Sequence, residues 1–397
     1  MDQIKPPDLA SPRFKANPYP FYARLRTEAP VYRTTVALGL VGWLVTRYDD
    51  VLTVLKDERF AKDWSPKMPW FFRSGFARPL TRSMLNLDPP DHTRLRTLVH
   101  KAFTPRLVEG LRGRIQSVCD DLLNAVAPSG RMELVQGYAL PLPLTIIADL
   151  LGIPAQDRLR FHSWSRTMVA ASSSIDFLRA LPTMWLLMRY LRKLFAQRRA
   201  HPQDDLVTAL VQAEEAGDKL SEDELLAMVV LLLVAGYETT TNLIASGTLA
   251  LIQHPQQRDR LQQNPALGES AIEELLRYTS PGDIATVRLA REEVTIGSVT
   301  IPRGELVLAV LGSANHDESQ FPDPDTLDIT RAPNKHLAFG QGVHFCLGAP
   351  LARLEGQIAL TTLFRQFPNL RLAEAPESLR WRKGLLFRGL EQLPVAF

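Results

Sequence analysis

The longest helical pattern in this chain restricts its fold more than any other feature. Ser221-Glu222-Asp223-Glu224 has the spacing of a capping box, the apolar run Leu225–Ala235 follows, and the helical pattern continues to Ile252. At about 1.5 Å per residue, such a helix is long enough to cross a whole domain. The uninterrupted apolar run is shorter than the roughly 20 residues that a membrane span needs. We therefore predict a helix that is buried in the core of a large globular protein.

Polar residues interrupt this helix near its middle. Glu238 and Thr239 follow the apolar run, and burying a carboxylate or a hydroxyl there costs free energy unless each group finds a partner. Gly236 beside them favours a local bulge in the helical hydrogen bonds, a distortion that is common at functional sites. Two interpretations stay open: the polar pair has a functional role, or it faces a wet groove and has none.

A second informative feature is the segment Phe339–Pro350, FGQGVHFCLGAP. Its glycines permit left-handed turns and the close approach of a flat ligand, and Pro350 suits the first turn of a helix. A thiolate at Cys346 would lie just before that helix, where the dipole and free N–H groups stabilise negative charge. The segment favours Cys346 as a metal ligand, with an inert buried thiol as the alternative. The other cysteine, Cys119, lies in an amphipathic helical pattern and is interpreted as structural.

The order of the remaining patterns predicts a mainly α chain with small β-sheets. Helical periodicity dominates from Arg94 to Gln253, and strand-like stretches lie before and after it. Because strands and helices do not alternate, the pattern argues against a parallel α/β sheet. We predict a short helix over Asp49–Lys56 and strands over Val31–Thr35, Trp43–Thr46, Thr286–Leu289, Val294–Ile296 and Leu306–Val310.

Composition narrows the class of protein further. With 397 residues, of which 45% are hydrophobic, the chain can bury a large core, and a net charge of +3 argues against nucleic-acid binding as the main activity. The start of the chain lacks the apolar run of a signal peptide or membrane anchor, so we expect a soluble, cytoplasmic protein. The aromatic residues of the Pro-rich stretch Ala61–Pro79 are expected to cover a pocket.

Two pairs of side chains have helical spacing. Glu274 and Arg277 are three residues apart, a spacing that is also common among surface ion pairs. His92 and Arg96 are four residues apart, on one face of a helix that begins after Pro90. From the residues alone, an ordinary surface helix accounts for the second pair equally well.

These segments resemble the motifs of the cytochrome P-450 family, in the family's order and over nearly the whole chain. Phe339–Gly348 is similar to the haem-ligand loop Phe-x-x-Gly-x-x-x-Cys-x-Gly, and Ala235–Thr239 is similar to the acid–alcohol motif. Glu274 and Arg277 match Glu-x-x-Arg, and an arginine of the later segment Phe321–Arg331 would complete a buried network with them. The similarity is strongest to soluble bacterial hydroxylases that tailor polyketides and macrolides. It implies one domain over residues 1–397 with a cytochrome P-450-like fold, in which a helix-rich and a β-rich subdomain surround a buried haem b.

The resemblance also implies roles for individual residues. Cys346 would bind the haem iron axially, and Glu238 and Thr239 would organise the waters that deliver protons to dioxygen. Asp283, beside the pocket candidate Ile284, is a local exception: it either puts a charge near the substrate pocket or is exposed to solvent, and exposure is the expectation. The residues expected to contact the haem are His92, Arg96, Ala235, Arg288, Phe339, Gly340, His344, Cys346 and Gly348. The substrate-pocket candidates are Met84, Leu85, Leu231, Val234, Ala235, Ile284 and Leu386.

The implied function is a haem-thiolate monooxygenase. It would hydroxylate or epoxidise an apolar molecule, such as a macrolide or other polyketide, a terpenoid, a steroid or a fatty acid. No flavin or iron–sulfur segment is recognisable, so electrons would come from a separate ferredoxin or flavodoxin. Two interpretations of Arg94, Arg106, Arg112 and Arg353 stay open: they form the basic footprint of that donor, or they are scattered, solvated arginines. The alternatives are a peroxide-driven peroxygenase, a non-catalytic haem-fold helper module, and a cysteine-nucleophile enzyme with His344 as its base.

Overall fold

The computed structural model describes residues 4, 6–36, 40–64, 67, 83–158, 160, 161, 163, 164, 174–215 and 220–397. Across these residues the protein is mainly helical with small sheets, as the sequence predicts. It divides into two compact units: the first comprises Met1–Ala61, Arg112–Leu142 and Thr239–Phe397, and the second Lys62–Leu111 and Pro143–Glu238. Organisation as a single domain stays a prediction.

The helices and strands are numbered in chain order. The helices are α1 (Pro12–Ala16), α2 (Tyr19–Glu28), α3 (Tyr48–Lys56), α4 (Asp91–Ala102), α5 (Pro105–Gly110), α6 (Arg112–Val126), α7 (Pro141–Leu150), α8 (Ser174–Ala200), α9 (Leu206–Glu215), α10 (Glu222–Gln253), α11 (Pro255–Gln263), α12 (Gly268–Thr279), α13 (Leu311–Ala314) and α14 (Ala349–Gln366). The strands are β1 (Val31–Thr35), β2 (Val41–Val45), β3 (Phe60–Ala61), β4 (Arg131–Glu133), β5 (Arg288–Ala290), β6 (Val294–Ile296), β7 (Val299–Ile301), β8 (Leu306–Ala309), β9 (Arg371–Leu372) and β10 (Pro394–Ala396).

The largest sheet lies in the first unit and has the order β1-β2-β8-β5-β3. Strands β2 and β8 are parallel, with Val45 opposite Ala309, and the other neighbours are antiparallel. Helix α3 covers this sheet through a core that contains Val51, Phe60 and Val307. The sheet thereby fixes the start of β5, where one of the predicted haem contacts lies.

Two smaller sheets complete the first unit. Strands β4, β10 and β9 form a three-stranded antiparallel sheet, and β6 and β7 form a hairpin. The hairpin turn contains Gly297 with φ 57°, a left-handed conformation that glycine adopts without strain. Strands Val31–Thr35 and Val294–Ile296 are confirmed with the predicted bounds, because β-branched residues and turn residues mark both ends.

The long helix α10 begins as the sequence predicts. The Ser221 hydroxyl accepts from the Glu224 amide at 3.2 Å, and the Glu224 carboxylate accepts from the Ser221 amide at 2.8 Å. The bulge predicted at Gly236 is wrong, since the helix is a continuous α-helix over all its residues. A Cβ on Gly236 would lie 3.1 Å from two side-chain carbons of Ile147, so glycine here permits close packing instead.

By length and composition, α10 is also apolar enough to cross a membrane. Its most apolar stretch has a mean hydropathy of 1.5, but 67% of that stretch is buried within the protein. A helix with this degree of burial is typical of a protein core, which agrees with the prediction made from the apolar run.

Candidate functional site

The loop that carries Cys346 is shaped by two glycines in left-handed conformations. Gly340 has φ 68° and Gly342 has φ 78°, values that residues with a side chain rarely adopt. A Cβ on Gly342 would lie 2.8 Å from the Leu55 carbonyl oxygen, so this position has no room for one. The Cys346 amide donates to the Phe339 carbonyl at 3.0 Å and closes the loop. These features fix the backbone just before the cysteine.

The Cys346 side chain is exposed and lies directly before α14. Gly348 is the N-cap residue of this 18-residue helix and Pro350 lies in its first turn, as predicted. A hydrogen bond to Glu273 raises the pKa of Arg353, and the negative charge of Cys346 raises it further. An anionic sulfur at this position is therefore stabilised by a helix N-terminus and by a nearby guanidinium.

Cys119 has the opposite environment. It is completely buried in α6, and burial raises the pKa of its thiol to about 12, so it stays protonated at neutral pH. Among the residues that the structure describes, no group of three or more His, Cys, Asp or Glu could hold a metal ion. A porphyrin supplies its own nitrogen ligands to an iron, so a single thiolate such as Cys346 is enough to bind a haem from the protein side.

An ion-pair cluster that the sequence did not predict supports the cysteine loop. Arg353 donates to both carboxylate oxygens of Glu273, at 2.6 and 2.8 Å, and its guanidinium lies 4.6 Å from the centre of the Phe339 ring. His336 lies 3.1 Å from the same carboxylate. Burial raises the pKa of Glu273, but the bonds from Arg353 and His336 outweigh it and lower the pKa to about 2. The carboxylate thus stays ionised and ties α12 to both ends of the loop.

The buried Glu–Arg network expected next to this cluster is confirmed. Arg277 donates to both oxygens of Glu274 at 2.8 Å, and neither side chain is exposed. Arg331 supplies the second arginine, at 3.2 Å from Glu274. Further donors from Asp328 and Asn334 complete the shell around this carboxylate. The pair has the structural role that the resemblance implies.

One side of α10 is open near its middle. Ala235 is exposed, and Leu231, Val234 and Thr239 are half-buried, whereas the intervening Tyr237 is buried. Their spacing of three and four residues places the four on one face of the helix. Three of them are apolar, so this face presents a hydrophobic surface with one hydroxyl beside it.

The other polar residues of the interruption are buried. Glu238 is 6% exposed, and Thr240 and Thr241 are 2% and 1% exposed. On a regular helix, Thr240 is rotated by about 100° from Thr239 and therefore faces elsewhere. Only Thr239 among these threonines borders the open face.

Helix α14 places a carboxyl group against the far side of α10, which sequence reasoning missed. Glu355 is 1% exposed. Burial raises the pKa of Glu355 to about 8, and the neighbouring Thr240 hydroxyl lowers it only slightly. The carboxyl group is therefore mostly protonated at neutral pH. In the sequence it is one of many glutamates with helical spacing, so nothing marked it as buried.

Residues expected to bind the haem propionates provide cationic or N–H donors. His92 and Arg96 lie one turn apart on α4; His92 is buried, and burial lowers its pKa, with a further contribution from the Arg96 charge. Arg288 begins β5, is 6% exposed, and donates to the carbonyls of Phe60 at 3.2 Å and Leu55 at 3.3 Å. His344 ends a short 3₁₀ turn and is half-buried. Such donors suit carboxylate groups at the rim of a haem.

The remaining pocket candidates lie in different environments. Met84 is buried and Leu85 is half-buried. Ile284 is 3% exposed within a core cluster, and Leu386 packs against that cluster. The amide of Ile284 donates to the Leu386 carbonyl at 3.1 Å, so the structure brings these two together. Residues 285–287, directly after Ile284, are half-buried.

Two expectations need correction or restriction. The solvent-exposed position expected for Asp283 is wrong: the residue is completely buried because Lys15 supplies an opposite charge at 2.5 Å. Apart from the half-buried Trp64, the aromatic residues of the Ala61–Pro79 stretch lie outside the described residues.

The arginines expected to form a docking footprint also differ from one another. Arg106 and Arg112 are exposed. Arg94 instead forms an ion pair with Glu224, and Arg353 forms the pair with Glu273 described above. The latter two arginines therefore stabilise the protein itself.

Comparison with known proteins extends over almost the entire chain. A family model described as cytochrome P-450 matches residues 179–386. Cytochrome P-450 107B1 of Saccharopolyspora erythraea is 50% identical over 382 residues, covering 94% of this chain and 93% of that protein. The structure of PksS, the cytochrome P-450 of the bacillaene polyketide synthase of Bacillus subtilis, has a TM-score of 0.92 and 44% identity, and the match covers 98% of both chains. A myxobacterial CYP267B1 structure in complex with myristic acid has a TM-score of 0.93 and 44% identity, covering 98% of this chain and 99% of that one.

Identity at this level over this coverage, together with the same fold, establishes a common family. The chain belongs to the cytochrome P-450 family, and the predicted fold class is confirmed. It is accordingly a haem-dependent monooxygenase that binds haem b through a cysteine thiolate, acts on an apolar substrate and receives electrons from a redox partner. The peroxygenase and helper-module alternatives are not favoured.

Proposed function

We propose that Cys346 is the thiolate ligand of the haem iron in a monooxygenase for polyketide-like or other large apolar molecules. The observation that carries the proposal is the contrast between the two cysteines. Cys346 is exposed before a helix N-terminus, whereas Cys119 is buried and its thiol has a pKa of about 12. Bound haem supplies an iron centre that activates dioxygen, and its thiolate ligand donates electron density that favours O–O cleavage.

The residues around the cysteine hold the ligand loop in shape. The Arg353–Glu273 pair packs under Phe339, and the left-handed Gly340 and the N-cap Gly348 leave the backbone free of side chains beside a flat ring. His92, Arg96, Arg288 and His344 would donate hydrogen bonds to the propionates, and Ala235 would face the ring with only a methyl group.

Thr239, on the open face of α10, and the buried Glu238 beside it are proposed to manage protons. A threonine hydroxyl both donates and accepts, so Thr239 can hold a proton donor at the reacting oxygen without placing a charge there. Glu238 is next to it in the chain and can exchange protons when its side chain rotates. The apolar surface of Leu231, Val234 and Ala235 would keep bulk water away from this step.

The proposed substrates are macrolides or other polyketides, with terpenoids, steroids and fatty acids as further candidates. Support comes from the pocket candidates, all of which are apolar: Met84, Leu85, Leu231, Val234, Ala235, Ile284 and Leu386. It also comes from two similar structures, since one is the cytochrome P-450 of a polyketide synthase and the other holds myristic acid. A pocket of this kind binds through apolar surface area and shape, and it does not favour molecules that lack a large apolar part.

A ferredoxin or flavodoxin is the proposed electron donor. Arg106 on α5 and Arg112 on α6 are both exposed, and each would attract the acidic surface of such a protein. We further propose that the enzyme is cytoplasmic and that residues 1–397 act as one haem-binding domain.

The ligand assignment is tested by the carbon monoxide difference spectrum of the reduced protein. Cys346→Ala should abolish the thiolate-type band, whereas the matched control Cys119→Ser should keep it. A thiolate-type spectrum in Cys346→Ala would overturn the assignment. The substrate class is tested by adding polyketides, steroids and myristic acid to the ferric enzyme and recording shifts of the Soret band; shifts with charged compounds alone would contradict the proposal.

A further inference from the structure

A buried charge cluster lies in the first unit. The Lys15 ammonium, on α1, donates to the Asp283 carboxylate at 2.5 Å, and the Tyr22 hydroxyl donates to the same oxygen at 2.9 Å. Lys15, Tyr22 and Asp283 are all 0% exposed. A buried ion pair compensates its desolvation only with close geometry and further hydrogen bonds, and this one has both.

Lys15 also reaches a second segment of the chain. Its ammonium donates to the Leu385 carbonyl at 2.8 Å, so one cationic group bridges residue 283 and residue 385. The backbone reinforces this bridge, since the amides of Asp283 and Ile284 both donate to the Leu386 carbonyl, at 2.9 and 3.1 Å. The segment after α12 and the segment near the C-terminus are thus joined through α1.

The backbone of α1 holds the same C-terminal segment from the other side. The Arg388 guanidinium donates to the carbonyls of Lys15 at 2.8 Å and Ala16 at 3.1 Å, and stacks 4.0 Å from the centre of the Trp381 ring. The Gly384 amide donates to the Ala10 carbonyl at 3.0 Å. Residues 384–388 are therefore fixed at one end to α1 and at the other to Ala10, which lies just before α1.

The joined segments carry pocket candidates. Ile284 begins the half-buried stretch that leads to the haem-contact candidate Arg288, and Leu386 lies opposite it. We propose that Lys15 is a positioning residue that holds these two segments of the substrate-pocket wall in register. The inference rests on the proposed function, because it uses the assignment of Ile284 and Leu386 to the pocket. It gives α1, which has no other assigned role, a part in substrate binding.

The neutralised charge has a second effect on the wall. Asp283 is the residue before Ile284, and an uncompensated carboxylate at that position would draw water towards the apolar surface or reorient the segment to reach solvent. Lys15 removes both tendencies because it supplies the opposite charge inside the core.

The test compares Lys15→Met with the matched control Lys193→Met, which removes an exposed lysine from α8. Hydrogen exchange of the haem-loaded enzyme is measured in peptides covering residues 282–286 and 384–388. We expect Lys15→Met to speed exchange in both peptides by about tenfold, the equivalent of about 1.4 kcal/mol of opening free energy, and Lys193→Met to leave both unchanged. Unchanged exchange in Lys15→Met would overturn the proposal.

A ligand titration connects the bridge to the pocket. The dissociation constant of 4-phenylimidazole, read from the Soret shift, should rise several-fold in Lys15→Met while the carbon monoxide spectrum keeps its thiolate band. An unchanged dissociation constant would limit Lys15 to a purely structural role. If 4-phenylimidazole caused no Soret shift in the unmodified enzyme, that result would contradict the proposed function. Hydrogen exchange would still test independently whether Lys15 holds the two segments together.

A double variant separates positioning from stability and serves if Lys15→Met does not fold. Lys15→Met combined with Asp283→Asn removes both charges of the buried ion pair, and the new amide oxygen at position 283 would still accept from Tyr22. The thermal midpoint of the double variant should regain most of what Lys15→Met alone loses, because Asp283 no longer leaves an unpaired buried charge. Exchange in 384–388 should stay fast, because no group donates to the Leu385 carbonyl. Recovery of both quantities together would refute a positioning role.

Discussion

Glu355 should make the stability of this enzyme fall as the pH rises, which is the reverse of the usual behaviour of a carboxyl group. Burial without a cation raises the pKa of Glu355 from 4.5 to about 8. In the unfolded chain the group ionises near its ordinary value, so between these two pH values only the unfolded state loses the proton. Stability is therefore complete below pH 4.5 and declines until about pH 8.

The size of the effect follows from the pKa difference. Each unit corresponds to about 1.4 kcal/mol, so the full shift corresponds to about 5 kcal/mol. The decline between pH 6 and pH 8 is about 2 kcal/mol, because the folded-state carboxyl group is already half ionised at pH 8. Glu355→Gln has nearly the same volume and cannot ionise, so it should lack this decline. The variant should thus gain stability relative to the unmodified enzyme as the pH is raised.

The assay is urea unfolding followed by tryptophan fluorescence at pH 6, 7 and 8, for Glu355→Gln, the unmodified enzyme and Glu377→Gln. Glu377 lies on an exposed 3₁₀ turn and controls for the loss of a surface charge. The difference in unfolding free energy between Glu355→Gln and the unmodified enzyme should widen by about 2 kcal/mol between pH 6 and pH 8. A constant difference, or one that narrows, would refute the argument that Glu355 is buried without a compensating charge.

Three further outcomes follow from the site. Thr239→Ala should bind haem but divert reducing equivalents from product to peroxide or water, whereas the control Thr240→Ala should keep product formation coupled to cofactor consumption. The measurement is the ratio of product formed to reduced cofactor consumed; loss of coupling in Thr240→Ala and not in Thr239→Ala would contradict the assignment of Thr239 to the open helix face. Gly342→Ala should weaken haem retention and lower the free energy of unfolding. The left-handed backbone strain alone corresponds to about 1 to 3 kcal/mol, and the clash of the new Cβ with the Leu55 carbonyl oxygen adds to it. In the control Gly340→Ala, the new Cβ would meet nothing within 4 Å, so thermal unfolding should show the effect of backbone strain alone. Equal losses of stability in Gly340→Ala and Gly342→Ala would contradict the clash. Arg106→Glu should slow reduction by a ferredoxin at low salt and not at high salt, and stopped-flow rates that are unchanged at low salt would reject the footprint.

The sequence predicted those features whose determinants are local. The capping box at Ser221, the helix start at Pro350 and the left-handed glycines of the cysteine loop depend on neighbouring residues, and all are present. The Glu274–Arg277 pair is local as well, and family resemblance added Arg331.

The features that the sequence did not predict depend on partners far along the chain. Asp283 looks like a surface residue until Lys15, 268 positions earlier, neutralises it. Gly236 was predicted to mark a bulge, but its actual role is close packing against Ile147, a residue so distant in sequence that the contact could not be predicted. Arg353 was expected to face a partner protein, and the structure pairs it with a carboxylate 80 positions away. Side-chain types alone do not specify such pairings.

The adjacent carboxylates Glu273 and Glu274 have a consequence for engineering. Glu273 binds Arg353, which follows the cysteine loop, and Glu274 binds Arg331, in the segment after α13. The loop and that segment are therefore both anchored by side chains to one turn of α12. The position of the cysteine is thus insensitive to the length of the chain that connects these anchors. The β6–β7 turn lies in that connection, and Gly297 there has no atom within 4 Å of an added Cβ. An affinity tag or a tethered electron-transfer protein inserted at this turn would leave the ligand geometry intact.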